Sequence, residues 1–238
     1  MSFRSQLNMQ SHKFPSGIVQ WSLAFNLAEL ETEHFQDECL ELPRPLLRAI
    51  KKRQIEFLAG RLCAKRCLED LDLSPPPSIG INEDRSPIWP KMVIGSISHT
   101  DGLATAIVGP ASQLESLGID REKLILSATP PLIQHICIDQ EELESLARKL
   151  RLSPEQALTL IFSGKESFYK ALHPILKQFF GFHAARVTAT NNLDVQIELV
   201  TELSNRFTMG RKWALNYSQI SPDIFETMVI ETKKSPQS

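Results

Sequence analysis

Hydrophobic residues recur every three or four positions along residues 43–71, which predicts a long amphipathic helix. Pro45 suits the first turn of such a helix. Three charged residues lie within or at the edge of its apolar arc, namely Arg53, Arg61 and Lys65. Each charge needs a partner there. In one interpretation, the aliphatic stem of each side chain lies along apolar surface and its charged head lies near a carboxylate. In the other, the charges bind a phosphate, and Gly60 allows that phosphate to approach the helix closely.

A different, β-branched pattern follows and predicts a hairpin. Residues 93–109 carry this pattern on both sides of Asp101-Gly102, a dipeptide favoured in tight hairpin turns. Ser98 and His99 lie just before the turn. The preceding residues 73–92 are rich in proline and predict a surface loop, which carries Arg85.

Alternation along residues 116–124 predicts a strand with Leu117 and Ile119 on one face. Asp120 and Glu122 then share the other face, about 7 Å apart. A solvent-facing edge would explain these two carboxylates. A hard divalent cation would explain them better if the fold supplies a third ligand.

Capping patterns predict two further helices. Asp139, followed three residues later by Glu142, begins a helix that should end near residue 150. Ser153 and Gln156 begin a second helix that should end near Pro174. Three strands are predicted after it, at residues 194–200, 206–216 and 225–231.

One flank of the second predicted helix carries charge beside an apolar stripe. Glu166 and Lys170 lie four residues apart there, and Lys165 precedes Glu166. A solvated ion pair between Glu166 and Lys170 is one interpretation. The other is a site at which a carboxylate and ammonium groups face an anion.

Composition narrows the class of protein. The chain has 238 residues, of which 42% are hydrophobic and 23% charged, as in ordinary folded domains. Its formal net charge of −2 gives no basic excess for nucleic acid. No stretch reaches the ~18 apolar residues of a membrane span, and the four cysteines form no CxxC pair and are predicted to be buried thiols. We therefore expect a cytoplasmic protein without a membrane span.

Five segments, taken in order, point to one family: "RQIEFLAGR", "RSPIWP", "GSISHTDG", "GIDRE" and "FSGKESFYKA". The set covers roughly residues 53–171 and resembles the phosphopantetheinyl transferases of the larger, two-lobed type. The resemblance implies an α+β fold of two similar lobes related by pseudo-two-fold symmetry, with the coenzyme site between them. The lobes would be residues 1–115 and 116–238, with the boundary near residues 112–117.

The resemblance also implies a metal site. Mg²⁺, or Mn²⁺, would be held by Asp120, Glu122 and Glu166, and carboxylate oxygens are the ligands that Mg²⁺ prefers. Lys165 and Lys170 would face the pyrophosphate of coenzyme A. Glu166 would also act as the base, and Lys170 would stabilise charge that develops in the transition state.

The nucleotide part of coenzyme A would lie against residues of the first lobe. Those implied by the resemblance are Arg53, Arg61, Arg85, Ser98 and His99. The sequence departs from the family pattern at Met92, where glycine is usual, and at Arg121, where an aliphatic residue is usual. Because strand neighbours alternate, Arg121 is expected to project away from the metal carboxylates.

The activity that the resemblance implies is transfer of the 4'-phosphopantetheine arm of coenzyme A to a serine of an apo acyl or peptidyl carrier protein. The enzyme is expected to be a monomer that binds no nucleic acid. An alternative is a non-catalytic protein of the same fold that binds coenzyme A or docks a carrier. A nucleotide hydrolase is a third possibility, but the G-x-x-x-x-G-K-[ST] loop is missing. Carriers of siderophore, peptide, polyketide and fatty-acid synthesis all remain open.

Overall fold

The computed structural model describes residues 7–73, 75–191 and 194–233. The described residues of Met1–Glu115 and Thr232–Ser238 form one compact unit, and those of Ser116–Glu231 form a second. Both units combine helices with antiparallel sheet. Within the described ranges, no helix is long and apolar enough to cross a membrane.

In the first unit, a long helix packs on a four-stranded sheet. The helix is α1 (Lys51–Asp70), and the strands are β1 (Asn8–Phe14), β2 (Ile18–Ala24), β3 (Gly80–Ile81), β4 (Pro87–Ile88), β5 (Val93–Thr100) and β6 (Leu103–Pro110). The sheet has the order β1-β2-β6-β5, and β3 pairs with β4 separately. Apolar residues of α1 pack against β2 and β6 to form the core of this unit.

Local signals predicted part of this unit well. The hairpin at Asp101-Gly102 is confirmed, with Thr100 opposite Leu103 and a φ of 71° at Gly102. Helix α1 begins at Lys51, later than predicted, and Arg44–Leu46 forms a short 3-10 turn instead. Ile50 separates this turn from α1, because its backbone is extended, with a φ of −62° and a ψ of 149°.

Lys65 has the carboxylate partner that one of the two interpretations required. Its Nζ donates to Glu38 Oε2 at 3.0 Å, and Arg66 donates to the other oxygen of the same carboxylate at 2.7 Å.

The cysteines follow the prediction in part: Cys63, Cys67 and Cys137 are buried thiols, whereas Cys39 is exposed.

Within its described residues, the second unit holds three α-helices, a short 3-10 helix at Phe182–Ala184 and two three-stranded sheets. Its helices are α2 (Pro130–Ile136), α3 (Gln140–Leu150) and α4 (Pro154–Leu176). Its strands are β7 (Leu114–Lys123), β8 (Ala185–Ala189), β9 (Val195–Leu199), β10 (Lys212–Ala214), β11 (Asn216–Ser221) and β12 (Ile224–Thr232). The sheet orders are β10-β9-β8 and β11-β12-β7. Apolar residues of α3 and α4 pack with both sheets in one core.

Both N-caps are confirmed, and the reciprocal capping box is present at Ser153, whereas the Glu142 side chain accepts from the Ile138 and Val187 N–H groups instead. Asp139 accepts a hydrogen bond from the Glu142 N–H at 2.9 Å, and Ser153 exchanges hydrogen bonds with Gln156. Helix α4 continues two residues past Pro174, because a proline in the last turn removes little of the helical hydrogen bonding. The strand predicted at 206–216 is shorter than expected, and β1, β2, β8, β11 and α2 had no clear sequence signal.

Candidate functional site

A glycine allows β7 to lie directly against α4. A Cβ atom on Gly118 would lie 2.0 Å from the Ser167 carbonyl oxygen and 2.7 Å from the Ala171 nitrogen. Any side chain at this position would therefore push the helix away from the strand. The close approach brings Asp120, two residues further along β7, to the flank of α4 that carries Lys170.

Hydroxyl groups fix α4 against the neighbouring strand β12. Thr227 of β12 donates to Ser167 at 3.0 Å, and its oxygen lies 2.9 Å from that of Ser163. All three residues are buried, so this chain of hydrogen bonds is shielded from water. The turn of α4 between Ser163 and Ser167 is thus held in place, and Glu166 lies within it.

The second unit gathers an ammonium group and carboxylates at this point. Lys170 Nζ lies 2.6 Å from Asp120 Oδ1, and Asp120 is only 4% exposed. The solvent-facing edge considered for Asp120 is therefore wrong. Glu122 and Glu166 are half-buried beside this pair.

The carboxylates affect one another's protonation. Burial, with the charge of Asp120 next, raises the pKa of Glu122 to about 7. Burial also raises the pKa of Glu166, and the charge of Lys170 opposes that shift. Negative charge is thus concentrated at this acid cluster, which we define as Asp120, Glu122 and Glu166.

The acid cluster fits a divalent metal ion in its chemistry. Its donors are all carboxylate oxygens, and a hard cation would offset both the burial of Glu122 and its repulsion from Asp120, the two causes that raise its pKa most. Within the described residues, no three His, Cys, Asp or Glu side chains converge closely enough to hold a metal as they stand. The ammonium group of Lys170 already offsets part of the negative charge of Asp120.

Lys165 lies in a different environment from Lys170. It is 3% exposed, and its Nζ donates to Glu142 Oε2 at 3.0 Å and to the Ile136 carbonyl oxygen at 2.9 Å. Glu142 also accepts hydrogen bonds from the backbone N–H groups of Ile138 and Val187. Lys165 thus joins α4 to the end of α2 and the start of α3, and Glu142 extends this contact to β8.

In the first unit, Arg53 and His99 come together. Arg53 Nη1 lies 2.7 Å from His99 Nε2, and His99 Nδ1 lies 3.6 Å from Glu56 Oε2. Arg53 and Glu56 belong to α1, whereas His99 is the penultimate residue of β5. The packing of α1 against β5 therefore brings Arg53, Glu56 and His99 together.

Arg61 lies further along α1 and is buried. Its guanidinium stacks 4.7 Å from the centre of the Phe57 ring and donates from Nη2 to the Gly80 carbonyl oxygen. Burial lowers its pKa to about 10. Its Nε is buried and donates no hydrogen bond within the described chain, so this cation retains a donor for a further acceptor. Gly60 has another role than the one considered for it, since a Cβ there would lie 2.7 Å from Ile97 Cγ2 of β5.

The remaining residues implied in the first unit are more scattered. Arg85 is exposed in the turn between β3 and β4, with a φ of 69°. Ser98 is 3% exposed, and strand alternation turns it to the face of β5 opposite His99. Ser98 and His99 thus lie on opposite faces of the same strand.

The two departures from the family pattern are accommodated. Met92 is 58% exposed in the turn before β5. Arg121 turns to the neighbouring strand, as alternation predicts, and its Nε donates to Glu226 Oε2 at 2.6 Å. Both partners are buried, so Arg121 is neutralised away from the acid cluster.

An aromatic cavity of about 500 Å³ lies beside Glu166 in the second unit. Its aromatic lining consists of Phe168, Tyr169, Phe179, Phe180 and Phe182, and Lys165, His135 and His183 also line it. Phe179 is 81% exposed. The helical pattern placed Phe168 and Tyr169 in an apolar stripe, but it could not reveal a cavity completed by a loop after α4.

Sequence reasoning missed two buried carboxylates that hold cations of the implied site. These are Glu56, which faces His99, and Glu142, which pairs with Lys165. Glu56 gave one available signal, because it lies next to Phe57 and Leu58 in the apolar part of a helix, where an acid requires a partner.

Two family comparisons cover most of the chain. Residues 42–109 match the 4'-phosphopantetheinyl transferase N-terminal domain, and residues 116–218 match the 4'-phosphopantetheinyl transferase superfamily. Together the two matches contain every residue of the acid cluster and the Arg53–His99 contact.

Curated relatives give the same result. Enterobactin synthase component D of Salmonella typhimurium is 33% identical over 178 residues, which are 74% of this chain and 73% of the relative. The protein of the same name from Escherichia coli K12 is 34% identical over 75% of this chain and 84% of its own length. The 4'-phosphopantetheinyl transferase Npt of Nocardia iowensis is 33% identical over 60% of this chain, and the match spans 62% of its length.

Proposed function

The chain belongs to the 4'-phosphopantetheinyl transferase superfamily, and we propose that it transfers the phosphopantetheine arm of coenzyme A to a serine of an apo acyl or peptidyl carrier protein. In this reaction the serine oxygen forms a bond to the phosphorus that carries the arm. The pyrophosphate P–O bond breaks, and adenosine 3',5'-bisphosphate leaves.

The observation that carries the proposal is the acid cluster with Lys170 beside it. A serine hydroxyl is a weak nucleophile at neutral pH and needs a base within hydrogen-bonding reach. Glu166 is the proposed base, because its raised pKa favours acceptance of a proton. Lys170 is proposed to neutralise charge that develops on the pyrophosphate.

We further propose Mg²⁺ as the ion of the acid cluster, held by Asp120, Glu122 and Glu166. When bound, such an ion supplies positive charge to pyrophosphate oxygens. Asp120 must then share its carboxylate between the ion and Lys170, which are both cations. Asp120 would thereby keep Lys170 close to the pyrophosphate.

The nucleotide end of coenzyme A is proposed to use the cations of the first unit. Arg53, Arg61 and His99 offer donors of the kind that bind phosphate. The buried Nε of Arg61, which donates no hydrogen bond within the described chain, supports this role. Arg85 is exposed on a turn, where it can reach a nucleotide without losing a buried contact.

The aromatic cavity beside Glu166 is proposed to receive the pantetheine arm. The arm is a long, uncharged chain with amide groups, and ligand sites of this kind are mainly apolar with a few polar groups. The cavity offers five aromatic side chains and two histidines. Because Glu166 also lines it, an arm in the cavity would end at the proposed base.

A carrier-dependent product assay tests this function. The protein is incubated with coenzyme A and Mg²⁺, with and without an apo carrier, and release of adenosine 3',5'-bisphosphate is measured. Release that requires the carrier supports transfer. Equal release without the carrier would indicate hydrolysis, and no release with any apo carrier would favour the non-catalytic alternative.

A further inference from the structure

Glu56 is a buried carboxylate that faces the phosphate-binding histidine proposed above. It is 7% exposed, and its Oε2 lies 3.6 Å from His99 Nδ1. Burial raises its pKa, against the opposing charges of Lys52 and Arg53. A buried acid costs folding free energy unless a partner offsets its desolvation, so its position beside the ring calls for a function.

The opposite edge of the His99 ring determines where its hydrogen lies. His99 Nε2 is 2.7 Å from Arg53 Nη1, and a guanidinium can only donate hydrogen bonds. Nε2 must therefore accept the Arg53 hydrogen. The neutral ring then carries its own hydrogen on Nδ1, the nitrogen that faces Glu56.

We propose that Glu56 is the positioning residue that keeps this hydrogen on Nδ1 and thereby presents His99 Nε2, together with Arg53, to a phosphate of coenzyme A. The identity of the ligand rests on the proposed function. When a phosphate engages Arg53, Nε2 no longer has its donor and can take up a proton from solution. The resulting imidazolium lies between two negative groups, the phosphate at Nε2 and Glu56 at Nδ1.

The surroundings of His99 suit this arrangement. Charged groups near the ring include Arg53 and Glu56 on α1, and Lys52 and Asp101 pair with each other beside them. Lys52 Nζ also lies 3.9 Å from Glu56 Oε1. Burial raises the pKa of Glu56, but the charges of Lys52 and Arg53 oppose that rise and favour the negative form that faces the histidine.

Nitrogen NMR of the wild-type protein tests the tautomer without any coenzyme. The protein is labelled with ¹⁵N-histidine, and the His99 signals are assigned by their loss in His99→Asn. We expect hydrogen on Nδ1 and an unprotonated Nε2 in the neutral ring. An Nε2-protonated tautomer would overturn the inference, whatever the protein binds.

Calorimetric titration then tests the consequence for binding. Coenzyme A and dephospho-coenzyme A are titrated into wild type, Glu56→Gln and Glu69→Gln. Glu69 is a matched control on the same helix, where it pairs with Arg66. We expect wild type and Glu69→Gln to prefer coenzyme A, and Glu56→Gln to lose about tenfold of that preference.

The outcomes distinguish failure of the phosphate site from failure of the role proposed for Glu56. A wild type without preference for coenzyme A would overturn the proposed phosphate site itself. A preference that survives in Glu56→Gln, or a loss that is equal for both coenzymes, would overturn the role of Glu56 alone. If Glu56→Gln does not fold, Glu56→Asp is used instead, because it retains the charge and should retain the preference for coenzyme A. Loss of that preference in a folded Glu56→Asp variant that still has the Nδ1 tautomer would contradict the inference.

Discussion

Lys170 Nζ and Asp120 Oδ1 lie 2.6 Å apart, although 50 positions separate the two residues in sequence. The contact joins α4 to β7 at the point where Gly118 allows them to touch. It places an ammonium group within the acid cluster. The chemistry of the site therefore depends on the packing of one strand against one helix.

Asp120→Asn should reduce transfer by at least about 100-fold, because it removes charge from the acid cluster and the partner of Lys170. We expect the variant to stay folded, since asparagine has nearly the same shape. Turnover is measured by carrier mass and stability by thermal melting. Near wild-type turnover at saturating Mg²⁺ would contradict the proposed metal site.

Glu166→Gln separates the proposed site from a simple surface ion pair. The variant keeps its shape and one ligating oxygen but loses charge and basicity. We predict a large fall in the single-turnover rate with a much smaller change in coenzyme A affinity. An ion pair alone would cost only ~0.3–0.5 kcal/mol of stability and leave the rate unchanged. Glu155→Gln, in the first turn of the same helix, is the control.

Arg61→Met should raise the KM for coenzyme A far more than it lowers kcat. A phosphate distant from the reacting bond contributes mainly uniform binding. Methionine retains an unbranched stem that can still contact Phe57, so the packing is largely preserved. Dephospho-coenzyme A serves as the comparison. If the variant discriminates between the two coenzymes as wild type does, Arg61 does not contact the additional phosphate.

Lys165→Met is predicted to act mainly on stability. It would leave Glu142 buried without its charged partner, which typically costs about 3–5 kcal/mol. Combining it with Glu142→Gln should recover part of that loss, because no buried charge then remains and the amide oxygen can still accept a backbone hydrogen bond. Chemical denaturation of both variants measures the effect. An unchanged stability together with a strongly raised KM for coenzyme A would instead support direct contact of Lys165 with the pyrophosphate.

Signals within a few residues predicted the local structure. The caps at Asp139 and Ser153 and the hairpin at Asp101-Gly102 each depend on neighbouring residues, and each is present. The start of α1 was predicted less well, because the apolar period continues through Leu47 and Ile50, whereas the backbone is extended at Ile50 and the helix begins after it.

Partners distant in sequence could not be predicted in the same way. Glu142 and Lys165 are 23 positions apart, and Glu56 approaches His99 through contact between a helix and a strand. The family resemblance indicated which charges matter, but it did not show that Lys165 is buried against Glu142 or that Ser98 turns away from His99. Such pairings depend on which elements pack together, and that information is spread over the whole chain.

The intact mass of an apo carrier protein shows whether this protein transfers the phosphopantetheine arm. The carrier is incubated with this protein, coenzyme A and Mg²⁺, and a carrier with its acceptor serine changed to alanine is treated in parallel. We predict that only the serine carrier gains the mass of one phosphopantetheine arm, and that chelation of the metal prevents the gain. Apo carriers from siderophore, peptide, polyketide and fatty-acid synthesis that all stay unmodified under these conditions would contradict the account.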